Sequence, residues 1–389
     1  MERDIVRRAI KEMKPYSPPL EGRTREGLVT IDFNERTTPP HRLVREAVGQ
    51  YIGRGEFQKY PEYGDLDNVI ADYIGVKPSE VIATNGSDQA IAIIYGLIVE
   101  KGDNVILPAP TFAMLEISAH NQGANVASPR YKGANLDFPF DDVMAAMKPD
   151  EIIPARVREV ELKSGEFISI TERPEEIKPG TRLVVICNPN NPTGTTLALD
   201  KLEAIVRQAR EVGAAVLVDE AYHEFNPDLT AVGLIGKYDN LFVTRSFSKT
   251  LGIAGLRAGC VVSQEKHIKE LQKIRGPYDI NMPAAAAVKA LRHPEVVADM
   301  KAYASEVMDV SKPILEEFYR QNGIRFIPTG ANFHLLEDKD GQIKEFLESK
   351  GILVRTRPDP EGTVRVSIGT REDTRKYLEA LQEYLSASK

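Results

Sequence analysis

Two cysteines in 389 residues, Cys187 and Cys260, cannot build a disulfide framework, and neither has a neighbour at metal-ligand spacing. Both sit in apolar, strand-like runs, where buried small side chains are expected. The six histidines are scattered and form no His-Glu-x-x-His pattern, so no metal site is expected. Long apolar runs are missing as well. No stretch approaches the roughly 20 apolar residues of a membrane span, and Met1 to Ile5 lacks the apolar core of a signal peptide. A cytoplasmic protein with no membrane partner is therefore expected. Positive charge is outnumbered, with 50 Lys and Arg against 57 Asp and Glu and a net charge of −7. That balance argues against general nucleic-acid binding, which favours a basic surface, and still permits a local basic pocket for a small anion.

What remains is an ordinary globular composition, 42% hydrophobic and 28% charged, in a chain long enough for two domains and a large core. Residues 1–45 read as an N-terminal arm and part of a small domain. The arm carries Pro15, Pro18 and Pro19, and Tyr16 is a candidate staple onto the body. Ile31-Asp32-Phe33 alternates like a short strand ending at Asn34. Residues 46–275 alternate strand-like and helix-like runs. Strands are expected at Val81 to Thr84, Asn104 to Leu107, Asn125 to Ser128, Leu183 to Cys187, Ala214 to Val218 and around Leu241 to Val243. Helices are expected at Gln89 to Val99, Thr111 to His120 and Asp200 to Glu211. This pattern predicts an α/β fold, a mostly parallel sheet flanked by helices.

Residues 150–180 interrupt the pattern. Val160 to Ile170 alternates around Ser164-Gly165 like a β-hairpin, and is expected to be an inserted surface hairpin without a catalytic role. The character changes again after Arg275. Residues 276–389 predict a smaller α+β domain, with a helical region from Pro283 to about Gln321. Strands are expected at Arg325 to Leu336, Gly351 to Arg355 and Thr363 to Ile368, before a closing amphipathic helix from Thr370 to Leu385.

Polar clusters fall at the carboxyl ends of the expected strands, where ligands of such sheets bind. Gly86-Ser87-Asp88 opens a helix, so free N–H groups and the helix dipole can meet an anion there, or simply form an N-cap. Asn188 to Gly194 is a rigid Pro-rich turn able to aim Asn191, or only a turn. Asp219 leaves a buried strand and needs a cation or several hydrogen bonds, whether from a ligand or from a turn it caps. Tyr222 offers a phenol to the same space. From Thr244 to Gly259 the chain presents Ser246, Ser248, Lys249 and Arg257. Hydroxyls and a guanidinium suit phosphate oxygens, and a shielded lysine can react as a free amine with a carbonyl. A lysine for an aldehyde, an acid for a ring nitrogen, Tyr and Asn for a ring hydroxyl and a phosphate cradle match the groups of pyridoxal phosphate.

The chain resembles the fold-type I pyridoxal-phosphate aminotransferases, and within them the histidinol-phosphate aminotransferases. The matching segments are Lys14-Pro15-Tyr16, Lys59-Tyr60-Pro61-Glu62, Asn85-Gly86-Ser87-Asp88, Pro110-Thr111-Phe112, Asn188 to Gly194, Asp219 to Tyr222, Ser246 to Gly259 and Val364 to Gly369. The resemblance implies that Lys249 binds the cofactor aldehyde and shuttles the proton, and that Asp219 pairs with the pyridine nitrogen. It implies that Tyr222 and Asn191 bond the ring oxygen, that Phe112 stacks on the ring, and that Ser87, Asp88, Ser246, Ser248 and Arg257 hold the phosphate. It also implies that Tyr60 reaches the cofactor of the neighbouring subunit in a homodimer. Arg365 resembles the arginine that grips the substrate carboxylate, Tyr16 and Arg355 match positions that bind an anionic tail, and Asn34 borders the substrate pocket. Amine and 2-oxo acid substrates are implied. The run Asn34-Glu35-Arg36-Thr37-Thr38-Pro39-Pro40 departs from the family's Asn-Glu-Asn-Pro-x-Gly-Pro. An aromatic amino-acid aminotransferase and a threonine-phosphate decarboxylase share the same motifs, and a binding protein that keeps the fold is the non-catalytic alternative.

Overall fold

The computed structural model describes residues 5–11, 13, 15, 19–153, 156–161, 167–173 and 176–387. Its centre is a seven-stranded sheet in the order Val81–Thr84, Gly259–Val262, Leu241–Ser246, Ala215–Asp219, Thr181–Cys187, Asn104–Ile106, Asn125–Ala127. Only Gly259–Val262 runs against its neighbours, so the other strands all end at one edge. The strands are near-continuous apolar runs because both faces are covered. Along Thr181–Cys187, Leu183, Val185 and Cys187 enter one core, while Val184 and Ile186 enter the other. Gly86–Ile98, Ala113–Gln122 and Glu265–Ile274 cover the first face, and Leu66–Ile74, Leu199–Glu211 and Met282–Lys289 cover the second.

A four-stranded antiparallel sheet, Phe326–Ile327, Phe333–Glu337, Thr363–Ser367 and Arg355–Arg357, belongs to a third core with the helices Lys312–Gln321, Gln342–Ser349 and Arg371–Ala387. The division between cores falls inside the helix Pro294–Ser305: Val296 and Met300 pack toward the large sheet, Tyr303 and Ala304 toward the small one. The change of character expected at Arg275 is thus not a core boundary. The small Ala284, Ala285 and Ala287 let Met282–Lys289 lie close against the helix Arg42–Gly53. Residues 306–311 form a π-helical turn between the helices Pro294–Ser305 and Lys312–Gln321.

Three strand expectations need correction. The strand near the arm is Val29–Thr30, which pairs in parallel with Ile352–Leu353, and not Ile31–Phe33. Asn34 then turns the chain with φ of +54°, so Asp32 and Phe33 leave the ladder for side-chain partners. The run Arg325 to Leu336 is two strands around Pro328 to Asn332, with Gly330 N–H donating to Gly194 O at 2.8 Å. Gly351 to Arg355 is likewise divided, into Ile352–Leu353 and Arg355–Arg357. Between 151 and 178, Arg156–Glu161 pairs antiparallel with Phe167–Arg173, and Glu151–Ile153 with Glu176–Lys178. The expected Ser164-Gly165 turn lies outside the described residues.

At the sheet edge the antiparallel strand brings backbone onto backbone. A Cβ built on Gly259 would sit 2.7 Å from Arg245 O and from Gly86 C, and 2.8 Å from Ser87 N. These are main-chain atoms that cannot swing aside. Replacing Gly259 by Ala is expected to cost about 1–3 kcal/mol of unfolding free energy, read as a lower urea midpoint with unchanged slope.

Candidate active site

The carboxyl ends of the parallel strands and the small sheet line one cleft. It is lined by Ser87, Asp88, Phe112, Asn191, Asp219, Tyr222, Ser246, Ser248, Lys249, Arg257, Arg355 and Arg365, so most of the expected site residues meet. Phe112 and Asn191 follow the adjacent strands Asn104–Ile106 and Thr181–Cys187, after which the chain turns in opposite directions across the sheet. Such a reversal is where open α/β sheets bind ligands.

Asp219 is the last residue of its strand and is buried. Thr244 Oγ1 donates to its Oδ1 at 2.8 Å, the Ala221 main chain also bonds the carboxyl, and the Cys187 thiol lies 3.9 Å from Oδ2. Burial pushes its carboxyl up to about 6, against which the Thr244 hydrogen bond works. Lys249 lies half-buried across the cleft, its Nζ donating to Phe33 O at 3.2 Å and 5.3 Å from the Tyr222 ring centre. Desolvation, followed by the positive charge of Arg365, lowers its ammonium to about 8. Each group is held in an environment that disfavours its charge, the signature of a working acid or base.

The Tyr222 hydroxyl accepts from Asn34 Nδ2 at 3.0 Å and from Asn191 Nδ2 at 3.2 Å. Its own proton therefore remains available to an acceptor in the cleft. Burial raises that phenol to about 12, keeping it protonated. Asn191 Oδ1 accepts from Arg365 Nη1 at 2.6 Å, and Arg365 Nη2 donates to Asp32 O at 2.8 Å.

Opposite, the helix Gly86–Ile98 starts with no side-chain cap from Asn85, so its first N–H groups face the cleft unspent by that residue. Gly86 has φ of +74°, and a Cβ there would come within 2.6 Å of Arg257 Nη2. Arg257 adopts a left-handed φ of +60° and is held by Asp88 Oδ2 at 2.8 Å. Ser246 Oγ accepts from Ser248 N–H at 3.2 Å beside them. N–H groups, hydroxyls and a guanidinium converge on a space with no room for another side chain. These residues fit pyridoxal phosphate: an anion cradle, a carboxylate oxygen and a lysine line the same cleft.

Some expected residues lie elsewhere. Asn34 is fully buried behind Tyr222 and does not line the cleft, so it acts on the site through the phenol. Tyr60 is 79% exposed, outside the cleft and stacked on Tyr278 with ring centres 4.5 Å apart. Tyr16 lies outside the described residues. Sequence reasoning missed Phe33, Cys187, Ala221 and Arg357, which also line the cleft. Arg357 was legible only as the second basic residue of an alternating Arg-Thr-Arg. The departing segment near Arg36 has a structural use. Arg36 donates to Thr250 O at 2.7 Å and to Asp299 Oδ2 at 2.7 Å, and lies 4.7 Å over Tyr303, clasping the Lys249 loop to the helix Pro294–Ser305.

A largely parallel sheet with a lysine, an aspartate and a phosphate cradle at its carboxyl edge defines a fold-type I pyridoxal-phosphate enzyme. The sequence profile of the family described as aminotransferase class I and II matches residues 30–381. A histidinol-phosphate aminotransferase from Dehalococcoides mccartyi is 30% identical, with 97% of each chain covered. Histidinol-phosphate aminotransferase 2 of Archaeoglobus fulgidus is 29% identical, with 98% of this chain and 99% of that one covered. The chain belongs to the class I and II aminotransferases and is a pyridoxal-phosphate-dependent aminotransferase. Solved structures share the fold. Histidinol-phosphate aminotransferase from Sinorhizobium meliloti, in complex with pyridoxal-5'-phosphate, superposes with a TM-score of 0.78 at 21% identity, covering 100% of this chain and 99% of that one. L-threonine-O-3-phosphate decarboxylase from Porphyromonas gingivalis gives 0.71 at 20%, covering 92% and 100%. Among the described residues no helix is long and apolar enough to cross a membrane, and no His, Cys, Asp and Glu cluster could hold a metal.

The raised Asp219 carboxyl has a consequence for the cofactor-free protein. Its folded pKa of about 6 exceeds the ordinary 3.8, so the folded state binds this proton more tightly than the unfolded chain does. Stability is then lost as pH rises from about 4 through 6. Asp219→Asn should remove that loss. The cofactor-free variant is expected to exceed the wild type by up to about 3 kcal/mol above pH 6, the gap closing toward pH 4 in urea melts.

Proposed function

We propose that the protein moves the amino group of L-histidinol phosphate to 2-oxoglutarate in two half-reactions that share one site, a ping-pong scheme. The observation that carries this reading is the cleft itself, in which Lys249, Asp219 and the Gly86–Arg257 cradle occupy separate walls and three arginines stand toward the small sheet. The names of the relatives, aligned over nearly their whole length, supply the choice of donor.

Pyridoxal phosphate, when bound, supplies an aldehyde for the amino group and a ring that spreads the charge of the deprotonated donor carbon. Lys249 would hold that aldehyde and, once released, take the proton from the donor carbon. A lysine lowered to about 8 reaches its neutral form at little cost near neutral pH. Asp219 would keep the ring nitrogen protonated. Its carboxylate, mostly ionised above pH 6, gains there the cationic partner that its burial otherwise denies it. Tyr222 would donate to the ring oxygen, with Asn191 fixing the phenol, and Phe112 would stack on the ring. Ser87, Asp88, Ser246, Ser248 and Arg257 would hold the phosphate. Arg365 would grip the carboxylate of amino and 2-oxo acids, and Arg355, with Tyr16, the anionic tail.

The same reading makes the protein a cytoplasmic homodimer in which Tyr60 serves the partner's site. Support comes from an exposed aromatic group, Phe57 at 62%, Tyr60 at 79% and Tyr278 at 54%, since monomers rarely leave such patches uncovered. The domain reading, with residues 46–275 as the cofactor-binding unit and 276–389 as the small domain, is kept as a functional division. It places Lys249 and Asp219 on one unit and Arg355 and Arg365 on the other.

A donor panel tests the assignment. L-histidinol phosphate, phenylalanine and threonine phosphate are each mixed with the holoenzyme, and the half-reaction spectrum is followed. The fastest conversion is expected with histidinol phosphate. Carbon dioxide released from threonine phosphate without an acceptor would replace transamination by decarboxylation. Lys249→Ala is expected to lower kcat by at least about 10³-fold while the cofactor stays bound.

A further inference from the structure

Arg355 stands directly opposite Arg365 in the antiparallel pair of Arg355–Arg357 with Thr363–Ser367, and Arg357 is opposite Thr363. Residues two apart on a strand share a face, so three guanidinium groups lie on one side of the small sheet, and all three line the cleft. Thr356 between them is exposed. Like charges directly opposed across a ladder repel, so this arrangement favours an anion between them.

The nearby carboxylates do not relieve the repulsion at Arg355. Asp32 and Glu35 are both taken by Arg23. Arg365 spends its Nη atoms on two neutral oxygens, of Asn191 and Asp32. Arg355 rests 4.9 Å from the Phe33 ring centre, a ring that Arg23 also approaches at 4.4 Å, and its Nη1 is buried without a hydrogen-bond acceptor. A donor aimed at nothing, in a wall of positive charge, is a site for an anion. Two forked guanidinium groups match the oxygens of a phosphate better than they match one carboxylate.

We propose that Arg357 is a specificity-determining residue of this cleft, forming with Arg355 a two-guanidinium subsite for a phosphomonoester dianion. The subsite rests on the aminotransferase reading of the same cleft and adds a residue to it. One guanidinium, that of Arg365, suffices for the carboxylate of an amino acid, whereas the second charge of a phosphate monoester is met only when Arg357 is present. Arg357 therefore sets the preference for phosphorylated donors over dicarboxylates.

The test compares holoenzymes of the wild type, Arg357→Gln and Arg357→Lys. Two quantities are read: the ratio of kcat/KM for histidinol phosphate to that for glutamate, and the inhibition constant of inorganic phosphate in the glutamate half-reaction. In Arg357→Gln the ratio is expected to fall by roughly 10–100-fold, carried by KM, and the phosphate constant to rise by a similar factor. Arg357→Lys, which keeps the charge without the fork, should recover part of both. A ratio and a phosphate constant within about threefold of the wild type in Arg357→Gln would overturn the subsite. So would equal losses for both donors, which mark a merely structural arginine. If the wild type ignores histidinol phosphate while the phosphate constant still depends on Arg357, the donor assignment falls and the subsite stands. If the wild type uses histidinol phosphate and Arg357→Gln matches it, the donor stands and the subsite falls.

Discussion

Desolvation of one carboxylate and one amine in the same cleft is the constraint around which the molecule is arranged. Desolvation disfavours the charged form of each, raising the carboxyl and lowering the ammonium. The sheet makes this possible. Parallel strands buried on both faces deliver their last residues to a common edge, and there Asp219 meets the Thr244 hydroxyl, the Ala221 main chain and a thiol, with no cation among its hydrogen-bond partners in the described residues. The antiparallel strand Gly259–Val262 brings the Gly86 turn against the edge, so the anion cradle shares the same rigid support. A protein that stores unfavourable charge in this way gives up stability until a ligand with complementary charges arrives.

The small sheet repeats this logic with the opposite sign. Its arginines face one another across a ladder, and a Phe ring, an amide and a main-chain carbonyl are among the groups that steady them. Uncharged partners orient a guanidinium without neutralising it. The cleft therefore carries a carboxylate at its sheet wall and arginines toward the small domain, a charge pattern that suits a ligand with both an amine and an anionic group.

Much of this was legible because the chemistry sits where the strand pattern stops. Apolar runs ending in Asp219, Ser246 and Thr84 fixed both the fold class and the cleft wall, since a polar residue at the end of a buried strand has few places to go. The residues that escaped notice depend on pairing. Arg357 is only the second basic residue of Arg-Thr-Arg until Thr363–Ser367 is laid beside it, and no local property announces that partner. Phe33 was taken for a strand residue because Ile-Asp-Phe alternates correctly; the ladder stops at Thr30 because Asp32 and Arg23 form an ion pair and Arg365 claims the Asp32 carbonyl. Arg36 departs from the family's sequence at a place where its use is visible only in three dimensions, clasping the loop after Lys249 to a distant helix.

The pairing of Val29–Thr30 with Ile352–Leu353, together with the bond from Asn34 N–H to Ser367 Oγ at 2.8 Å, joins segments more than 300 positions apart. During synthesis the large sheet is complete once residue 262 has emerged, yet the stretch holding Asp32, Phe33 and Asn34 must wait for the last strands. Long-range closures of this kind are slow to form because loop entropy is spent before any contact repays it. The sheet edge that bears Lys249 and Asp219 can therefore form early, and the wall that bears Arg355 and Arg365 is added only when the last strands have emerged.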